Sequence, residues 1–170
     1  MNKLAQFITD PFIDLPNQYS KPSPKQTPKI LNPVQPIKEN INESRQLLLG
    51  HIQSLNEYMI NDGMNVQPLP RVELIDNDVK NASDFFGKTA YYNPNTITIT
   101  LYTLDRHPKD VIRSYAHEMI HHIQNLEERL PQISTTNTNE DGKLEEIERE
   151  AYERGNITFR KWTDSLTNKH

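Results

Sequence analysis

The sequence predicts an α+β domain preceded by an extended arm. Three observations carry that expectation. Prolines crowd the first 37 residues. Three later stretches repeat apolar residues every three to four positions, the period of a helix with one buried face. Between the first two of these, short runs alternate apolar and polar residues, the period of a strand. At 170 residues the chain has room for one domain and an appendage.

The arm spans residues 1–37. Pro11, Pro16, Pro22, Pro24, Pro28, Pro33 and Pro36 rule out a continuous helix or a central strand there. The expectation is an extended, polyproline-like segment. Leu4, Phe7, Ile8, Phe12, Ile13 and Leu15 make it too apolar for an inert linker. It is expected to dock on the domain or on an assembly partner. The domain itself should run from 38 to 166, with a frayed tail at 167–170.

Within the domain, 39–61 reads as a helix on Ile41, Leu48, Ile52, Leu55 and Met59, ended by Asp62-Gly63. His51 lies near that stripe and reads as a packing histidine. Residues 72–79 read as a strand. Residues 89–92 and 96–102, joined by Asn93-Pro94-Asn95, read as a β-hairpin. Ile97, Ile99 and Leu101 alternate with Thr96, Thr98, Thr100 and Tyr102, so the second strand should bury one face. A helix follows from Pro108 to about Leu130, then a polar surface loop over 131–143, then a helix from Leu144 to Leu166.

The chemistry is concentrated at His117-Glu118-Met119-Ile120-His121. Histidines four apart in a helix stack on one face, and that spacing lets both imidazoles reach one tetrahedral Zn²⁺. Glu118 points about 100° around the helix from His117. It is poorly aimed for the same coordination triangle but can act as a general base on a water. The helix is amphipathic: Val111, Ile112, Tyr115, Ala116, Met119, Ile120, Ile123 and Leu126 cover one side, with the two histidines at its edge.

The third ligand is expected on the last helix. From Leu144, the residues Ile147, Ala151, Gly155, Thr158, Phe159, Trp162 and Leu166 form one apolar line. Of the carboxylates in the segment, Glu148 alone lies within that face, while Glu146, Glu150, Glu153 and Asp164 point away. A carboxylate buried there needs a partner, and a metal ion is a suitable one. His117, His121 and Glu148 are therefore the expected ligands of one zinc ion per chain. Gly155, on the same face, either admits close approach to the His117 helix or breaks the last helix at Gly155-Asn156.

His117-Glu118-x-x-His121 followed by Glu148-Arg149-Glu150-Ala151 resembles the gluzincins, zinc peptidases with a downstream glutamate ligand. The Glu-x-Glu-Ala run is similar to that of the repressor-cleaving ImmA/IrrE type and of the HtpX type, in which the first glutamate is the ligand. The longer pattern resembles small metallopeptidase-like proteins of bacteria and their phages. The likeness covers roughly residues 70–165. It departs from the HtpX pattern at Tyr152, where those proteins carry an aspartate, and in lacking membrane spans. The resemblance implies a minimal zincin-like domain: a helix, a small and mostly antiparallel sheet with its hairpin, the metal helix, and the glutamate helix. It also implies an edge strand beside the metal helix that binds an extended substrate, for which 96–102 is the candidate.

The expected activity is zinc-dependent hydrolysis of a protein or peptide, with Glu118 as general base. The oxyanion needs a further donor; Tyr102, Tyr115, His122 and Tyr152 are candidates, and the sequence does not choose among them. The alternative is a structural or assembly protein, virion-associated if viral, tied to partners by the arm.

Composition bounds the rest. A net charge of −4 gives no electrostatic case for nucleic acid or an anionic membrane. The absence of cysteine excludes disulfides, thiolate metal sites and cysteine nucleophiles. No apolar run approaches a membrane span, and the first residues lack the apolar block of a secretory signal. A cytoplasmic location is expected, the host cytoplasm or the virion for a viral protein. With 34% apolar residues the core should be modest.

Overall fold

The computed structural model describes residues 37–131 and 138–168. The expected arm, up to residue 36, lies outside the described residues. Within them the chain runs α1 (Ile37–Asn61), β1 (Arg71–Ile75), α2 (Val79–Ser83), β2 (Ala90–Asn93), β3 (Thr98–Tyr102), α3 (Pro108–Leu126) and α4 (Thr138–Thr167). The class is α+β as expected, with one three-stranded sheet among the described residues.

Helix α1 buries Leu48, Ile52, Leu55 and Met59, the stripe expected of it. It closes at Gly63, whose φ of +78° lets its own N–H reach Ile60 O and that of Met64 reach Met59 O. A residue with a Cβ is strained in that left-handed position, so the Asp-Gly stop signal has a direct geometric cause.

The sheet corrects four expectations. Its order is β1-β3-β2, with β1 parallel to β3 and β2 antiparallel to it. It is therefore mixed rather than mostly antiparallel. The hairpin is present, pairing Tyr92 with Ile99, but β3 is the central strand, so 96–102 cannot be the free edge. After β1 the chain enters the far edge at β2, and β3 then fills the gap between them. Both faces of this central strand are covered: Thr98 and Thr100 join Ile99 and Leu101 below the surface. The one-sided burial read from the alternation does not occur. The strand also starts later, because Ile97 lies in the turn with φ +50°.

Helix α3 is the centre of the domain, in contact with β2, β3, α1 and α4. Pro108 starts it, and His107 Nδ1 accepts the Lys109 N–H at 3.1 Å. Arg106 fastens this start to the hairpin by donating to Thr89 O, Tyr102 O and Ser114 Oγ. The helix ends at Leu126, earlier than expected. Glu128 takes φ +56°, and the N–H groups of Glu128 and Arg129 close onto Asn125 O and Gln124 O.

Helix α4 runs antiparallel to α3: Gln124 meets Ile147, His117 meets Gly155, and Arg113 lies over the Phe159 ring. It begins at Thr138 rather than Leu144 and continues through Gly155 without a break. Gly142 and Lys143, before the apolar line begins, are exposed. Further along, Ile147, Ala151, Thr158, Phe159, Trp162 and Leu166 are all buried, as the periodicity requires. Full burial of a large apolar side chain contributes about 1.5–3 kcal/mol, so this face holds the two helices in a fixed register. His51 is buried against the edge of Trp162, and burial lowers its pKa to about 4. It is a packing residue, as expected. No helix among the described residues is long and apolar enough to cross a membrane.

Candidate metal centre

One turn of α3 and one residue of α4 form the site. His117 Nε2 and His121 Nε2 stand 3.1 Å apart. The Glu148 carboxylate spans both, with Oε2 at 3.4 Å from His117 Nε2 and Oε1 at 3.3 Å from His121 Nε2. A tetrahedral ion held at roughly 2.0–2.1 Å would separate its ligands by about 3.3–3.4 Å. The three side chains are thus already spaced like the edges of such a polyhedron, and this group can hold a metal ion.

The electrostatics agree with the spacing. Burial, then the neighbouring His121, hold the His117 pKa below its ordinary value against the opposing charge of Glu148. A neutral imidazole is the form that ligates. For His121, Nδ1 lies 2.8 Å from Gln124 Oε1. The Gln124 amide nitrogen faces two groups that only accept, Ile147 O at 3.0 Å and Glu150 Oε2 at 3.1 Å. The amide orientation is therefore determined, Oε1 must accept from His121 Nδ1–H, and Nε2 is left with its lone pair directed at the site.

The face assigned to Glu148 is right, but its expected burial is not. Its side chain is 63% exposed, whereas His117 and His121 are 25% and 11% exposed. At this level α4 stands over the flank of α3, and solvent reaches the carboxylate from the open side. The desolvation argument for a metal partner consequently lapses, and the convergence of three donor atoms replaces it. On that open side the Glu148 carboxylate is accessible to water.

Glu118 lies on the same turn and is 8% exposed. Its pKa is pushed up to about 7, chiefly by burial and next by the charge of Glu148, against a hydrogen bond from the Tyr92 backbone N–H. The edge strand β2 thereby touches the candidate base directly.

The four candidate oxyanion donors separate. Tyr115 is fully buried, and its hydroxyl donates to Asn56 on α1. His122 is fully buried too. Its Nε2–H points between Val66 O and Pro68 O, and its Nδ1 accepts from Tyr92 OH, which in turn accepts from Asn125. Both rings are engaged away from the triad. Tyr102 lines a small cavity with Asp78, Asn81 and Arg106, none of them a residue of the triad. Tyr152 is 67% exposed. It stands one turn beyond Glu148 and three residues before Gly155, which abuts His117.

Reading the chain as a sequence missed Gln124 and Glu150 as parts of the site. Gln124 is buried on the face that looked polar, because α4 covers that face. Glu150 was placed pointing away, yet Arg129 grips it bidentately at 2.7 and 3.0 Å and Arg154 at 2.6 Å. These bonds, Arg129's first, lower its pKa to about 2. The available signals were the Gln three residues after His121 and the Glu150/Arg154 spacing of four. No family model, curated protein or solved structure matches the chain.

Proposed function

We propose that the chain is a zinc-dependent peptidase, with His117, His121 and Glu148 holding one ion and Glu118 as general base. The observation that carries this reading is the tight triangle of two imidazole nitrogens and a carboxylate, open to solvent on one side, with a second carboxyl buried beside it. Two nitrogen donors and one oxygen suit zinc; magnesium and calcium take oxygen ligands. When bound, the ion supplies Lewis acidity, activating water and polarising a carbonyl.

The chain's own groups do the remainder. Glu118, a carboxyl buried beside the triad, would take a proton from the attacking water and return it to the leaving amine. Strand β2 is the sheet edge beside α3, and an extended peptide substrate adds there as a further strand. Tyr152, exposed one turn from Glu148, is the phenol best suited to donate to the oxyanion.

A second reading is an assembly protein that keeps this fold as a packing module. It draws on the Pro-rich first 37 residues and on Phe85 and Phe86, 93% and 87% exposed on the surface. Metal analysis of the purified chain, followed by casein cleavage with and without a chelator, separates the two. The peptidase reading expects one zinc per chain and chelator-sensitive cleavage. A metal-free, inactive chain favours the assembly reading.

Glu148→Ala is expected to weaken zinc binding by more than the roughly 100-fold lost with an outer hydrogen bond. Competition with a chromophoric chelator measures it. Stoichiometric zinc at unchanged affinity in this variant would remove Glu148 from the ligand set.

A further inference from the structure

We propose that Gln124 is a positioning residue that fixes which nitrogen of His121 faces the metal, and so couples metal capture to the docking of α4 on α3. The inference rests on the metal reading above and extends it to residues outside the ligand set. Gln124 is fully buried between the two helices. Its amide makes three hydrogen bonds: one from His121 Nδ1, and one each to Ile147 O and Glu150 Oε2. The last two partners belong to α4, and neither can donate. If the amide were reversed, its oxygen would face a carbonyl and a carboxylate while its nitrogen met the imidazole N–H. Helix α4 therefore dictates the amide orientation, and the amide dictates the imidazole tautomer.

Glu150 is itself immobilised. Arg129 engages both of its oxygens, and Arg154 binds Oε1 from one turn further along α4. Arg129 is delivered by the left-handed turn at Glu128 that ends α3. The relay thus runs from the C-terminus of α3, through Glu150 and Gln124, to His121. Helix α4 contributes Glu148 directly and His121's tautomer indirectly, within one turn. If α4 lifts from α3, both contributions go together.

Two substitutions separate positioning from packing. Gln124→Met keeps the length and apolar contacts but has no acceptor for His121. Gln124→Glu keeps the acceptor but sets a carboxylate against Ile147 O and Glu150. Full-length protein is stripped of metal, and the histidine tautomers are read from long-range ¹⁵N–¹H spectra at mildly alkaline pH. Zinc affinity is measured by chelator competition, and stability by thermal melting. The wild-type metal-free chain should hold His121 as the Nδ1–H tautomer. Gln124→Met should lose that tautomer and bind zinc about 10–100-fold more weakly. Gln124→Glu should keep the tautomer and lose less affinity, although it melts lower than Gln124→Met. A proton on Nε2 of His121 in the wild-type chain overturns the proposal, as does an affinity order that follows the melting order. Failure of the wild-type chain to take up zinc sinks the metal reading instead, and the metal-free spectra then still decide the relay.

Discussion

Replacing Glu118 with Gln is expected to abolish peptide hydrolysis while zinc remains bound. A positioned acid–base group contributes typically about 10²–10⁴-fold, and Gln cannot accept the proton. His117, His121 and Glu148 are unaltered, so the zinc content of the variant should equal that of the wild type. The same substitution should make the metal-free protein more stable, and the sign follows from the pKa. Glu118 is raised from 4.5 to about 7 in the fold. Its folded-state pKa lies above its unfolded value, so the native state favours the protonated carboxyl. Native protein then binds more protons than unfolded protein between these two values, and stability falls as pH rises through that window. Above it the ionised Glu118 costs at most roughly 3 kcal/mol, at 1.36 kcal/mol per pKa unit. A Gln side chain carries no charge to desolvate and still accepts the Tyr92 N–H. Metal-free Glu118→Gln should therefore gain about 1–3 kcal/mol over wild type at pH 8 and almost nothing near pH 4. Denaturant melts at the two pH values measure it. An equal gain at both would show that Glu118 is not strained by its charge.

How much of this was legible in the sequence depends on whether the signal was local. The His117/His121 spacing lies within one helix, and the helical period alone puts both rings on one face. The buried line of α4, from Ile147 to Leu166, was legible for the same reason: burial imprints a period on the residues that touch. What failed was pairing between distant segments. The alternation at 97–101 identifies a strand, but nothing in those residues says whether one neighbour or two will flank it, and β1 took the second side. Glu148 shows the limit of the face argument. The wheel gives the direction of a side chain but not how far the opposing helix extends, and here solvent fills the remainder. Gln124 and Glu150 looked like polar surface because each was judged on its own helix. Their roles arise only where α3 and α4 meet. Nothing in the polar run at 138–143 marked the helix start, since it carries no apolar residue from which a helical period could be read.

Gly155 is where the packing of the domain and the geometry of the site become one constraint, and Gly155→Ala tests it. In an exposed helix this substitution gains about 1 kcal/mol from propensity. Here a Cβ would lie 2.9 Å from His117 Cα, 3.1 Å from His117 N and 3.3 Å from Ala116 C. All three are backbone atoms of α3 and cannot swing aside as a side chain can, so the helices must separate. Overpacking of this kind costs about 1–3 kcal/mol, which exceeds the propensity gain by up to about 2 kcal/mol and for a domain of this size lowers the melting temperature by up to roughly 10 °C. The separation acts on the proposed third ligand, because Glu148 rides on the same helix two turns away. Metal sites tolerate ligand displacements of only about 0.2 Å, so zinc affinity should fall along with stability. Gly142 supplies the control within α4: a Cβ there meets nothing within 4 Å. Gly142→Ala should accordingly stabilise by up to about 1 kcal/mol and leave zinc binding unchanged. If Gly155→Ala behaved like Gly142→Ala, close contact of α4 with the His117 backbone would not be what sets the ligand geometry.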